Sequence, residues 1–338
     1  MSADHRPTAS LLTLRRRAAL LRAVREEFHR EGYWEVETPL LSRDVCVDAW
    51  LDPIIVRDDS LGGERFLQTS PEFAMKRLVA AGADAIFEIT RAFRRGEQGG
   101  RHNPEFTMVE WYRVGATYSE QMSFTERLVR ALAAFPAEAS MGDPWPPAPP
   151  LSDEPFPRIR YDDAFEAVLG TRILTLQSRQ LRELAASRNV VAPESLTADD
   201  LDGWRNLLLA ECVEPWLAAQ PAVFLYDYPA SQAALATVAP IEPPVARRFE
   251  LYLGGVEICN GYQELTDAEE LSRRMRKQAA LRRAAGLSEL PVEGRLLAAM
   301  RDGLPECSGV ALGFDRLVQW RLGLPSIADV IAFPMDRA

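Results

Sequence analysis

The sequence predicts an α+β fold in which an antiparallel β-sheet is flanked by helices, and three observations carry that reading. Strand-like runs are interrupted by helical ones with no regular βαβ beat. Two of the runs, Ala85 to Phe93 and Glu105 to Tyr112, enclose the polar, glycine-bearing stretch Arg94 to Pro104 and read as one hairpin with a long charged loop. Ser308 to Leu322 reads as a small-residue strand that turns into a helix.

The elements follow in order. Leu14, Ala18, Leu21, Val24 and Phe28 recur at helical spacing, so a helix runs from Leu11 to Arg30 and Gly32 stops it. Tyr33 to Glu37 alternates like a strand until Pro39. Ser70 is placed to N-cap a second helix that passes Met75 and Leu78 and ends at Gly82. Residues 136–157 hold 8 of the 24 prolines, a density that suits neither helix nor central strand, so an extended linker is expected there. A mainly helical insertion is expected over about 158–220, with Leu181, Leu184, Trp204, Leu207 and Trp216 in its core. Strands return at Val223 to Tyr226, Arg248 to Leu253 and Val256 to Tyr262. Helices follow from Thr266 to about Ala285 and from Val292 to Met300, and a last apolar run covers Val330 to Phe333.

The chain has 338 residues, 47% hydrophobic and 26% charged, which is the composition of a packed globular protein. Its net charge of −10 argues against a surface that holds a long stretch of nucleic acid, because such binding needs clustered Lys and Arg. Cys46, Cys212, Cys259 and Cys307 are scattered with no CxxC pair, so reduced thiols are expected rather than a zinc site or a disulfide framework. Arg15, Arg16 and Arg17 interrupt the N-terminal apolar stretch, and no run reaches the ~20 apolar residues of a membrane span. A cytoplasmic protein without a membrane partner is expected.

Three segments carry chemistry. In the first, Phe93-Arg94-Arg95-Gly96-Glu97 leads to His102-Asn103-Pro104-Glu105-Phe106-Thr107. An arginine at a strand end and an aromatic on the returning strand suit a nucleotide, since guanidinium forks grip phosphate and an aromatic face stacks on a base. The same composition also suits a solvated loop. The second segment is Glu250 followed by Val256 to Glu264. Glu250, Glu257 and Glu264 are spaced by seven, but a turn between strands can bring such groups to one cation, and Mg²⁺ takes one or two carboxylates plus substrate phosphates. Exposed surface glutamates fit the pattern equally well. In the third, Gly309, Ala311 and Gly313 alternate along a strand and leave one face without side chains, for a ligand or for a neighbouring element, with Arg316 just beyond.

Together and in this order, the segments resemble the signature motifs of class II aminoacyl-tRNA synthetases. Glu31 to Leu40 is similar to motif 1, the hairpin to motif 2, and Gly309 to Leu317 to motif 3. HNPEFT with Glu110 and Tyr112, and EICNGYQEL, are similar to the lysyl members. TSPEFAMKRL, YPASQAALA, CSGVALGFDRL and the tail VIAF-x-x-DRA are closer to a stand-alone branch, the elongation factor P–(R)-β-lysine ligases.

The resemblance spans about Leu12 to the end and implies one class II catalytic domain over 1–338, without an N-terminal OB domain. It implies a homodimer and an enzyme that uses ATP and Mg²⁺ to activate (R)-β-lysine or lysine as an adenylate. Transfer to a lysine of elongation factor P would follow. Another acceptor, such as a different protein, a carrier or tRNA, and a non-catalytic regulatory module are the alternatives.

Carried over residue by residue, Arg94 would grip the α-phosphate and Arg316 the far end of the triphosphate. Phe106 would stack on adenine and Asn103 would hold the nucleotide, with Glu97, Ile258 and Gly313 beside it. Glu250 and Glu257 would carry Mg²⁺. Glu72, after Ser70, and Glu110 would face ammonium groups, Tyr112 and Glu264 the side-chain amine, and Asn260 the carboxylate. Two positions depart from the synthetases. Gly96 stands where a glutamate usually reads adenine, with Glu97 one later, and Ala311 stands where they carry the middle glycine of motif 3.

Overall fold

The structure, a computed structural model, describes residues 5–135 and 145–338. In chain order the elements are α1 (Leu11–Arg30), β1 (Trp34–Glu35), β2 (Leu41–Ser42), β3 (Ile55–Val56), β4 (Arg65–Leu67), α2 (Glu72–Ala80), β5 (Ala85–Phe93), β6 (Glu105–Val114) and α3 (Tyr118–Ala133). Then come β7 (Arg158–Arg160), α4 (Tyr161–Leu169), α5 (Ser178–Ser187), α6 (Leu201–Leu208), α7 (Glu214–Leu217), β8 (Ala222–Pro229), β9 (Val238–Ala239), β10 (Val245–Leu253) and β11 (Val256–Gln263). The last are α8 (Ala268–Ala284), α9 (Arg295–Gly303), β12 (Cys307–Gly313) and α10 (Phe314–Leu322). These elements divide into two compact units, Met1–Pro149 with Glu264–Ala338, and Pro150–Gln263.

In the first unit, β5 and β6 form the expected antiparallel hairpin and β12 runs antiparallel to β6, with Gly309 opposite Tyr112 and Ala311 opposite Glu110. β1 joins β5 in parallel, so the sheet is mixed rather than purely antiparallel. Only two of the residues from Tyr33 to Glu37 are strand, because Tyr33 turns inward to the core. There it stacks on Phe124, while Phe28 of α1 stacks on Phe87 and meets Trp111 edge-on. This aromatic knot explains the helical period of α1. Its buried face (Leu20, Val24, Phe28) sits against the sheet, while Ser10 caps its start by accepting from Thr13 N–H. A smaller antiparallel sheet orders β2, β4 and β3.

The start of α2 differs from expectation. Pro71, not Ser70, holds the N-cap position and offers no side-chain cap; Ser70 Oγ accepts Glu72 N–H at 3.1 Å and turns to the site described below.

In the second unit, β10 lies between β8 and β11, antiparallel to both, and β7 joins β8 in parallel. Helices α4 to α7 pack Tyr161, Phe165, Leu181, Trp204 and Leu217 against Val223, Leu225 and Tyr228 of β8. The helical stretch expected from 158 therefore opens with a strand, and Leu184, Leu207 and Trp216 border the core instead of filling it. Of the proline-rich stretch 136–157, residues 136–144 lie outside the described residues, and 145–157 contain no helix or strand. Among the described residues, no helix is long and apolar enough to cross a membrane, and the four cysteines are free.

Candidate active site

The first unit gathers acids around one lysine. Glu110 and Tyr112 lie two apart on β6 and so share a face. Tyr112 donates its hydroxyl to Glu110 Oε1 at 2.6 Å, and Ser70 donates to Oε2 at 2.7 Å. One helical turn separates Glu72 from Lys76, whose Nζ lies 2.5 Å from Glu72 Oε1 and 2.5 Å from Glu264 Oε2. Lys76, Glu110 and Glu264 are almost wholly buried. Gly309 explains how so much fits: a Cβ there would come 2.3 Å from the Tyr112 ring and 2.6 Å from Glu264 Oε1. Of the two occupants that the sequence leaves open for the face at Gly309, a ligand or a neighbouring element, the protein's own phenol and carboxylate take the space. Ala311 is half-buried, opposite Glu110.

Burial, then the Glu72 charge, pushes the Glu110 carboxyl up to about 8. Burial also pushes Glu264 up, with Lys76 opposing it and Glu72 adding to it. Burial tends to neutralise Lys76, but Glu264 and Glu72 outweigh it and keep the ammonium charged. The upward push on Glu264 and the charged Lys76 pull the pair in opposite senses. Contacts of 2.5 Å on both sides of Nζ decide for an ionised Glu264. The proton that this crowd of acids retains then sits on Glu110.

At the hairpin end of β6 the charge is reversed. Arg94 lies 3.8 Å from Glu97, and its guanidinium sits 5.0 Å from the centre of the half-buried Phe106 ring. Its Nε is buried and has no hydrogen-bond partner among the described residues. Gly96 has φ +81°, a left-handed turn that favours glycine and delays the acid to Glu97. In the first turn of α10, Arg316 places Nη2 2.7 Å from His102 Nε2. Burial, followed by Arg316, holds the His102 pKa down, so its ring is neutral and accepts. Asn103 is committed elsewhere: Nδ2 donates to Glu105 O at 2.6 Å and Oδ1 accepts Met335 N–H at 3.0 Å. Asp315 accepts Thr107 N–H at 2.8 Å and pairs with Arg17 of α1, which ties β6 to the start of α10. Gly313 is half-buried at the N-cap position of α10.

The second unit holds Glu250, Glu257, Ile258 and Asn260. Glu250 Oε2 accepts from Tyr228 at 2.6 Å and from Tyr252 at 2.7 Å, while Oε1 lies 2.5 Å from Arg248 Nη2. Gly254 and Gly255, both at positive φ, make the tight turn between β10 and β11. Asn260 pairs with Glu250 across the strands, but the register then shifts, so that Leu251 meets Cys259 and Tyr252 meets Glu257. Ile258 is the extra residue of this bulge, with its side chain buried. The bulge puts Glu257 on the face of Tyr252 and Glu250, and both carboxylates press the Tyr252 phenol upward after burial does. An unshifted register would have turned Glu257 to the other face.

Sequence reasoning missed Lys76 and His102. Lys76 had a signal, its i,i+4 spacing from Glu72, but that spacing usually marks a solvated pair. His102 stood inside a quoted motif and was given no role.

Residues 2–337 match the family described as tRNA synthetases class II (D, K and N). The chain is 40% identical over 341 residues to the elongation factor P–(R)-beta-lysine ligase of Salmonella paratyphi B, an alignment covering 100% of this chain and 99% of that one. The ligases of the same name from Salmonella schwarzengrund and Salmonella dublin match to the same extent.

Proposed function

The chain belongs to the family of class II tRNA synthetases (D, K and N), and we propose on that premise that it is an ATP-dependent ligase for (R)-β-lysine or lysine. Its product is the aminoacyl group joined to the ε-amine of a lysine of elongation factor P. The observation that carries this reading is the buried cluster of Glu72, Glu110 and Glu264 around one lysine. So many enclosed acids call for a ligand with ammonium groups, because each buried charge needs a partner once water is expelled.

In the first step a carboxylate oxygen of the amino acid attacks the α-phosphorus of ATP. The bond to the bridging oxygen breaks and pyrophosphate leaves with the electron pair. The acceptor amine then attacks the adenylate carbonyl, AMP departs, and the amine loses a proton as the amide forms. Both steps gain from positioning and charge neutralisation more than from a general base.

We assign Arg94 to the α-phosphate and Arg316 to the far end of the triphosphate. The unpartnered Arg94 Nε supports this, since a phosphate oxygen supplies the acceptor it lacks. Phe106 would stack on adenine, with Glu97, Asn103, Ile258 and Gly313 beside the nucleotide; Ile258 can contribute only backbone. Ser70, Glu72 and Glu110 would receive ammonium, Tyr112 and Glu264 the side-chain amine, Asn260 the carboxylate, and Ala311 would line the amino-acid site. Among the described residues, no three His, Cys, Asp or Glu side chains gather as a metal centre. Mg²⁺ fits instead on Glu257 and on the acceptor site that three donors leave open on Glu250. When bound, it neutralises phosphate charge.

We read residues 1–338 as one catalytic domain, supported by the family match, and the protein as cytoplasmic, where translation factors work. We also propose a homodimer. Trp34 and Leu40, on the stretch that resembles motif 1, and Leu11 at the start of α1 are exposed apolar side chains. Light scattering should give twice 37.8 kDa; a particle of 37.8 kDa at micromolar concentration contradicts the dimer. To test the activity, labelled (R)-β-lysine and ATP are incubated with purified elongation factor P or with total tRNA. Label on the protein and none on tRNA is expected. Label on tRNA refutes the acceptor, and the absence of amino-acid-dependent pyrophosphate release refutes the enzyme.

A further inference from the structure

We propose that Lys76 is a positioning residue for the amino-acid pocket: an internal ammonium that locks Glu72 and Glu264 in place and offsets their mutual repulsion, so that a cationic substrate meets ordered carboxylates. The inference rests on the proposed function and deepens it. Lys76 is 1% exposed. It uses one oxygen of each acid, Glu72 Oε1 and Glu264 Oε2, and its Nζ lies 5.9 Å from the Tyr112 ring centre. The other Glu264 oxygen lies beside Gly309, where any side chain would collide with it. Glu264 is therefore gripped from two sides and Glu72 from one.

Two carboxylates, Glu72 and Glu264, confront a single fixed cation in this cluster, with the protonated Glu110 beside them. Without Lys76, Glu72 and Glu264 would be buried like charges, and such groups respond by taking up protons or by swinging apart. Either response removes the fixed negative sites that an incoming ammonium needs. With Lys76 in place, the carboxylates stay charged and the remaining deficit of positive charge is left for the ligand. The upward shift of the Lys76 pKa by its two partners, against burial, agrees with a permanently charged side chain.

Lys76 touches neither ATP nor the reacting carboxylate in this account, so its loss should separate the two substrates. In Lys76→Met, which keeps length and volume, the amino-acid KM should rise about 30-fold or more while the ATP KM stays within about twofold. Lys76→Ala leaves space for a small amine. There, n-propylammonium should restore amino-acid-dependent pyrophosphate exchange about fivefold or more at a concentration that leaves wild type unaffected, whereas n-propanol of the same shape should not. Equal rescue by both compounds makes Lys76 mere packing and overturns the inference, as does an unchanged amino-acid KM in folded Lys76→Met. If Lys76→Ala does not fold, the Met variant decides alone. The wild-type control separates the two readings. No exchange with lysine or (R)-β-lysine in wild type refutes the proposed function, whereas exchange in wild type with no KM split in the variant refutes only the role of Lys76.

Discussion

Two stretches of β6 stand beside opposite charge, cationic side chains near Phe106 and buried acids around Glu110. Near Phe106, Arg94 has one buried Nε without a hydrogen-bond partner among the described residues, and Arg316 meets the neutral His102 nearby. Four residues on, about 14 Å along an extended strand, Glu110 belongs to a cluster in which carboxylates outnumber the single ammonium of Lys76. The charge in each stretch has the sign opposite to the substrate proposed for it, the polyphosphate near Phe106 and the amino acid near Glu110. Glu250 in the second unit is intermediate, because three donors meet it and a single acceptor site stays open. A buried charge that is fully matched holds structure, and one that is under-matched is ready for a ligand.

The comparison breaks most sharply at Arg94. Arg94→Ala removes donors that meet charge developing on the α-phosphate, so kcat for adenylate formation should fall by roughly 10²–10³ with a small change in amino-acid KM. Single-turnover adenylate formation checks this; a loss confined to the amino-acid KM would place Arg94 at the wrong end. At the acid end, Glu264→Gln keeps the shape but removes a charge shared with Lys76. The amino-acid KM should rise far more than the ATP KM, by an amount on the order of 2–5 kcal/mol. Equal changes in both would show that Glu264 does not discriminate between the ends.

Glu110 sharpens the comparison through pH. Its carboxyl is pushed above the ordinary range to about 8 in the folded protein. The folded state therefore holds a proton that the unfolded state gives up, and stability from this group is complete at acid pH and is lost as pH rises toward 8. Glu110→Gln should flatten that decline by up to a few kcal/mol, seen as a melting temperature that falls less between pH 5 and pH 8 than in wild type. Parallel profiles would mean that Glu110 titrates normally. The smallest expected effect is at Ala311, half-buried opposite Glu110. In the proposed site the methyl group would limit how deeply a substrate settles, and α- and β-lysine differ by about one bond in where the amine sits. Ala311→Gly should raise kcat/KM for α-lysine relative to (R)-β-lysine by roughly 10–200-fold. An unmoved ratio assigns the methyl to packing.

Much of this was legible before the fold. The period of α1 and the hairpin of β5 and β6 follow from apolar spacing alone, because a face that must be buried repeats at the pitch of its element. The strand and helix readings put Glu110 and Tyr112 on β6 and Arg316 on α10, with Arg94 just after β5 and Glu264 just after β11. Ser70 was misjudged as a cap, since Pro71 takes that position and the serine hydroxyl is drawn to Glu110 instead. The small-residue strand left a ligand and a neighbouring element equally open at Gly309, and its missing side chain makes room for Tyr112 and Glu264.

The sequence by itself determined the fold class, the family and which residue types carry charge to the site, because these depend on local periodicity and on motifs contiguous in the chain. Only the tertiary structure decided which charges are matched. Lys76 of α2 meets Glu264 across 188 positions, where Glu264 N–H donates to Cys307 O of β12, and Glu257 joins the face of Glu250 because the bulge at Ile258 reverses its facing. Such pairings turn on distances of a few ångströms between elements remote in sequence, where no repeat or spacing records which side chain will find which partner.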